Sequence, residues 1–301
     1  MSAARPALPD VAHEADAPDA TNPLDATDLV MFWNLYETGI ERLAGRDERW
    51  RAQCAMVTAQ RPRVLLTTEG WGWHRDGRAL FEDAKAAFGM DGELFTAKTG
   101  AHLAVFWAPD VERLAVQRIA PELAHWHGHG LVTLQLPEWR MPLRFLVAHL
   151  DPFSPTGRRV EADHLRHHAD PALPPLVVGL DANCVPPGDP EPDWTRSAPH
   201  RRDDYLLPDG KRADRTPLRR LLGTTEAPLL VDAGAHLGDR APTYGEFLPG
   251  EAERRIDLFL LSAALAPQLA GYRALDPRPA PGDGRPLASD HRPVTIRLRR
   301  R

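Results

Sequence analysis

Long hydrophobic runs are missing from this chain. No apolar stretch approaches the ~18 residues that a membrane-spanning helix needs, so no membrane span is expected. Cysteine is scarce: Cys54 and Cys184 stand 130 positions apart, and no Cys-x-x-Cys or Cys/His spacing suggests zinc. A reducing cytoplasm is the simplest compartment for such a chain. The N-terminus has neither the basic start nor the apolar centre of a secretory signal. A broad excess of positive charge is absent too. Residues 1–25 hold Asp10, Glu14, Asp16, Asp19 and Asp25 against Arg5, so a chain of net charge -5 is close to neutral over residues 26–301. A duplex-DNA binder usually shows a basic face; a near-neutral sum leaves room only for a local one.

What is present is ordinary for a globular protein: 301 residues, 43% hydrophobic and 26% charged. The first 25 residues, rich in Ala, Pro and Asp, are expected to be a disordered acidic arm, followed by one domain over 26–301. Thirty prolines concentrate in loops. Residues 28–34, 63–69 and 175–180 are short apolar runs of buried-strand character. Strand-length runs also cover 93–97, 101–107, 112–119, 130–136 and 143–149, and later 255–262 and 292–298. Helical composition covers 37–60, 77–88, 158–168 and 217–222, while the polar, Pro-rich stretch 186–215 is long for a loop. Strand clusters with helices on either side predict two packed sheets flanked by helices.

Polar residues of catalytic type sit where these runs end. The pairs are Trp33-Asn34, Thr68-Glu69, Ala148-His149, Asp181-Ala182-Asn183 and Asp290-His291. A further carboxylate, Asp257, lies inside a very apolar run, where it is costly unless paired, and His291 is the candidate partner. Such a set suits metal-assisted hydrolysis of phosphate esters. A hard cation such as Mg²⁺ takes a few carboxylate or amide oxygens, which Asn34, Glu69 and Asp290 could supply. Asp181 could hold or deprotonate the attacking water. Asn183, two residues on in extended chain, faces the same side. A His bonded to a carboxylate favours its cationic form, which suits a crowded phosphate.

The order Asn34, Glu69, His149-Leu150, Asp181-x-Asn183, Arg255-Ile256-Asp257, Ser289-Asp290-His291 resembles the endonuclease/exonuclease/phosphatase superfamily over residues 28–298. The segments 255–260 and 289–294 are the most specific matches. The resemblance implies an α/β (α+β) fold, the DNase I-like four-layer α/β/β/α sandwich, with one divalent-metal site, Mg²⁺ or Mn²⁺, at one end of the sheets. It implies that Asn34, Glu69 and Asp290 serve the metal and that His149 contacts phosphate. By the same likeness Asp181 and Asn183 hold water and phosphate, and Asp257 pairs with His291. Departures are visible: Leu180 rather than Gly precedes Asp181, and Thr68 rather than Gln precedes Glu69. DNA-repair members carry a Tyr where this chain has Lys98-Thr99-Gly100-Ala101-His102, which argues against abasic-site cleavage.

Plainer readings stand beside these. Asn34 and Glu69, taken singly, are ordinary strand-end residues, Asp257 could pair with Arg254 or Arg255, and His149 could be a satisfied core histidine. His125, His127 and His129 alternate as if on one strand face, yet a Gly-rich turn explains them without zinc. His164, His167 and His168 suit a solvated helix face. Trp71-Gly72-Trp73 could rim the site and stack a base or sugar, and Lys98 and His102 are further substrate-binding candidates. Arg196, Arg201, Arg202, Lys211 and Arg212 could track a polyanion or merely solvate their loop. The expectation is therefore a metal-dependent phosphoesterase using direct water attack, with a lean toward a nuclease-type phosphodiesterase acting on nucleic acid. A phosphatase or phosphodiesterase of small molecules or lipid head groups is the alternative, and a catalytically inactive binding module of the same fold is the second. No segment marks an obligate protein partner.

Overall fold

The computed structural model describes residues 26–119, 126–278 and 287–300; the acidic arm and His125 lie outside them. Twelve strands form two six-stranded sheets. In chain order they are β1 (Thr27–Asn34), β2 (Val64–Trp71), β3 (Asp91–Phe95), β4 (Ala101–Trp107), β5 (Glu112–Arg118) and β6 (His129–Gln135). Then come β7 (Leu143–His149), β8 (Leu176–Asp181), β9 (Leu230–Asp232), β10 (Asp257–Ser262), β11 (Leu269–Ala274) and β12 (Val294–Arg299). One sheet runs β11-β12-β1-β2-β4-β3, the other β5-β6-β7-β8-β10-β9.

Strand alternation builds the layers. In β1, Val30 and Phe32 face the other sheet, meeting Phe145, Val147, Val177, Phe259 and Leu261. Met31 and Trp33, on the opposite face, meet Trp50, Phe81 and Ala84 of the helices α2 (Glu48–Gln60) and α3 (Ala79–Phe88). The second sheet does the same. Val177 and Phe259 point inward, while Val178, Leu180, Leu258 and Leu260 pack on Ala162, Leu165, Leu218 and Leu221. Those last four belong to α4 (Pro155–Leu165) and α6 (Thr216–Leu222). Strands covered on both faces have no solvent side, which is why these runs are continuous rather than alternating. Between the sheets at Gly130 no side chain fits: a Cβ there would stand 2.0 Å from the Phe95 ring. The result is the expected four-layer α/β/β/α sandwich.

Some local expectations are corrected. The 37–60 helix is two, α1 (Thr38–Leu43) and α2, broken around Gly45, whose φ of +78° favours glycine. The strands β9 and β11 and two short helices, α5 (Pro199–Arg202) and α7 (Ala233–Leu237), carry no clear periodic signal and were not foreseen. His127 precedes β6 and His129 opens it, so the two do not share a strand face; His129 Nε2 instead meets His168 Nε2 at 3.1 Å. Trp73 is core, against Phe81 and Phe106. Among the described residues no helix is long and apolar enough to cross a membrane.

Candidate active site

The polar ends of the apolar runs converge because of strand direction. Strands β1 and β2 are parallel, as are β7 and β8, so Asn34, Glu69, His149 and Asp181 all arrive at one edge. Strands β10 and β12 are antiparallel to β8 and β1, so their starts lie at that same edge. Asp257 is therefore the register partner of Asp181, and His149 pairs with Asp181 on the other side. Ser289 ties the last segment down: its Oγ donates to Asn34 O at 2.8 Å and accepts from His291 N at 3.1 Å. Trp33 Nε1 donates to His291 O at 3.1 Å.

Three non-glycine residues here have left-handed backbone: Tyr36 at φ +54°, Glu69 at +61° and Asn183 at +43°. Glu69 also sits where the β2–β4 register slips between Thr67 and Gly70, a bulge that re-aims its side chain. Such conformations persist only where surrounding contacts hold them and gather at functional sites.

Asp181 is 1% exposed and surrounded by donors. Its Oδ2 accepts from Asn34 Nδ2 at 2.9 Å and lies 3.3 Å from His149 Nε2; its Oδ1 accepts from Asn183 N at 3.1 Å. His149 is held near pH 3 by burial and then by the neighbouring His291 charge, so the imidazole is neutral. Its Nδ1 is a buried atom without a hydrogen-bond partner among the described residues. His127 stacks on the His149 ring at 4.0 Å and 20°, and Thr99 Oγ1 fixes His127 Nδ1 at 2.8 Å.

His291 Nδ1 lies 2.9 and 3.1 Å from the two Asp257 oxygens. Burial opposes its charge, but Asp257, Asp290 and Asp181 together raise the imidazole well above its ordinary value. Asp257 is pushed up to about 6, by burial first, against the pull of His291. Above that pH the two form an ion pair. Asp181, Asp257 and His291 bring ligand-type atoms within 4.8 Å of one another. The imidazolium offsets the charge of Asp257, so we read the group as an ion pair with Asp181 beside it rather than as a metal cage.

Glu69 and Asp290 answer better to a cation. Both line the pocket, and burial raises the pKa of each. Glu69 accepts from Asn34 Nδ2 at 3.0 Å and Trp71 Nε1 at 3.1 Å, and neither carboxylate has a Lys or Arg salt bridge among the described residues. A half-buried and a buried carboxylate with no Lys or Arg salt bridge among the described residues fit a hard divalent ion. Asn34 turns its Nδ2 to Glu69 and Asp181, while its Oδ1 accepts from Tyr36 N at 2.9 Å. The amide thus links the two carboxylates and stands beside the oxygen set.

The pocket, about 580 Å³, is also lined by Trp71, Trp126, His127, Phe153, Arg201, Tyr205 and Tyr244. Lys98 is exposed next to the lining residue Thr99. His102 is not brought to the pocket: it is 3% exposed, its Nδ1 accepts from Ala97 N and its Nε2 meets His74. The 186–215 stretch supplies Arg201 and Tyr205; Arg201 pairs with Glu251 at 2.9 Å, and Arg196, Arg202 and Arg212 pair with nearby acids. Tyr205, Tyr244, Trp126 and Phe153 escape sequence reasoning because they lie in irregular segments; the alternating histidines drew notice to His127 but not to its stacking.

The chain has the fold of the endonuclease/exonuclease/phosphatase, DNase I-like superfamily. It is similar to D. rerio TDP2 solved with a single-strand DNA product: 15% identity, TM-score 0.60, covering 91% of this chain and 99% of that one. It is similar also to mannosyl-6-phosphatase of Bacteroides thetaiotaomicron, at 15% identity and TM-score 0.60, over 89% and 98% of the two chains. An endonuclease/exonuclease/phosphatase family protein from the same bacterium gives 16% identity and TM-score 0.61, over 90% and 97%. No family model and no curated protein matches the sequence.

Proposed function

We propose that the chain is a divalent-metal-dependent phosphoesterase that hydrolyses esters by direct attack of water, of nuclease-type phosphodiesterase character. The observation that carries this reading is the packing of Asp181, His149 and the Asp257–His291 ion pair against two carboxylates, half-buried Glu69 and buried Asp290, that have no Lys or Arg salt bridge among the described residues. The metal, held by Glu69 and Asp290, would supply Lewis-acid stabilisation of charge growing on the phosphate oxygens. Asp181, fixed by the Asn34 side chain and the Asn183 backbone amide, orients water and takes its proton. The new P–O bond forms as the ester P–O bond opposite breaks, and the ester oxygen leaves with the electron pair. The His291 cation faces the phosphate, and Asp257 keeps it charged. Neutral His149, its Nε2 3.3 Å from Asp181 Oδ2, stands beside the base and is not itself the base.

Asp181→Ala tests the assignment. With folding intact, hydrolysis of bis-(p-nitrophenyl) phosphate should fall by at least ~100-fold, the lower range for a positioned acid or base. Parent-like turnover in that variant would show the mechanism to be wrong. One observation favours a small substrate instead: among the described lining residues Arg201 is the single Lys or Arg, and it is tied to Glu251. A long polyanion would be held by many such contacts and give a steep log–log salt slope. A slope near zero on oligonucleotide substrates would select the small-molecule alternative.

A further inference from the structure

On the flank formed by the segments before β6 and after β7, two aromatic rings stand open to solvent. Phe153 is 59% exposed and Trp126 39%, and they meet edge-to-face at 5.5 Å. Open aromatic pairs on a pocket rim mark contact surfaces. Here the frame behind them is built from backbone amides hydrogen-bonded to carboxylates.

Glu161 of α4, 4% exposed, turns its carboxylate inward beneath both segments. One oxygen accepts from Trp126 N at 2.9 Å, the other from Asp151 N at 2.7 Å. Asp151 Oδ1 then accepts from Phe153 N at 2.8 Å and Ser154 N at 3.0 Å, and Arg158 Nη1 donates to Asp151 O at 2.7 Å. A single buried carboxylate thus sets the spacing of the two ring-bearing loops. Burial pushes it up to about 7, against the two backbone donors.

The rings lead to the reaction centre. Trp126 lies 6.4 Å from His127, His127 stacks 4.0 Å on His149, and His149 Nε2 is 3.3 Å from Asp181 Oδ2. The pocket lining on this flank is Trp126, His127, Pro152 and Phe153, with no carboxylate, lysine or arginine. Such a surface reads the face of a flat ring rather than its hydrogen-bonding edge, and is tolerant of base identity.

We propose that Trp126 and Phe153 form a stacking subsite for the nucleobase of a nucleoside esterified to the scissile phosphate, with Glu161 as the positioning residue. This deepens the phosphodiesterase reading and rests on it. The test uses the full chain with Mg²⁺ and two esters sharing one leaving group, p-nitrophenyl thymidine 5′-phosphate and p-nitrophenyl methyl phosphate. Phe153→Ala and Trp126→Ala should each raise KM for the nucleoside ester ~5- to 150-fold, the range expected for loss of a base–aromatic stack. The methyl ester should stay within about twofold, kcat should hold for both, and Phe153→Trp should keep parent KM. Glu161→Gln should shift the nucleoside KM in the same direction and spare the methyl ester, whereas general damage to the fold would lower kcat for both. Equal shifts for the two esters, or none, would overturn the subsite and leave the phosphoesterase reading standing. A parent protein that hydrolyses neither ester would remove both.

Discussion

Replacing Arg255 by Met should unfold the domain more than any surface change, because the guanidinium stands between two buried acids. Arg255 is 2% exposed. Its Nε and Nη2 reach the two Asp189 oxygens at 2.8 and 2.9 Å, and its Nη1 and Nη2 reach Asp232 at 2.8 and 2.7 Å. Both acids are less than a tenth exposed. Removing the shared cation leaves Asp232 with only the α7 N-cap bond to Ala235, and Asp189 with Arg240. Breaking a buried pair from one side costs ~3–5 kcal/mol, mostly the uncompensated charge left behind. For a domain of this size, ~2 °C per kcal/mol places the fall in Tm near ~6–10 °C. Urea denaturation with matched slopes would measure it. A loss under ~1 kcal/mol would refute the reasoning, showing that the acids protonate or hydrate at little cost. Arg255→Lys should recover only part, since an ammonium cannot serve two bidentate partners.

Two further outcomes follow from the site. With Asp257 raised to about 6, kcat/KM should fall as pH drops below that value and the ion pair with His291 is lost. The stability linkage has the opposite sign: a carboxyl raised above its unfolded value contributes stability that is full at low pH and lost as pH rises through about 6. Asp257→Asn should remove the acid limb, and an unchanged limb would assign it elsewhere. Chelation should stop turnover, and Mg²⁺ at a hundredfold over its Kd should stabilise the protein by ~2.7 kcal/mol; Glu69→Gln and Asp290→Asn should each weaken that thermal shift, and an unaltered shift in both would move the metal to other ligands.

Much of this protein is legible locally. Val30 to Trp33 and Val177 to Leu180 are apolar without a break because both faces are covered, and a strand of that kind needs no partner to be named before it can be recognised. Polar residues at the ends of such runs mark chain leaving the interior, so Asn34, His149, Asp181 and Asp290 stand out from neighbours alone. Short or weakly patterned pieces do not: Leu230–Asp232 and Leu269–Ala274 are strands only because β10 and β12 offer them an edge.

Partner choice was beyond local pattern. That Asp257 faces His291 while Arg255, two residues earlier, turns to Asp189 and Asp232 depends on contacts 34, 66 and 23 residues away. The same holds for Glu161, whose role is set by loops 35 and 10 residues distant. Composition and alternation decide which residues leave water, since burial acts on each side chain in turn. Strand direction, the bulge at Glu69 and the close approach of two sheets decide which polar ends meet, because hydrogen bonds and charges act only across the few ångströms that the folded chain creates.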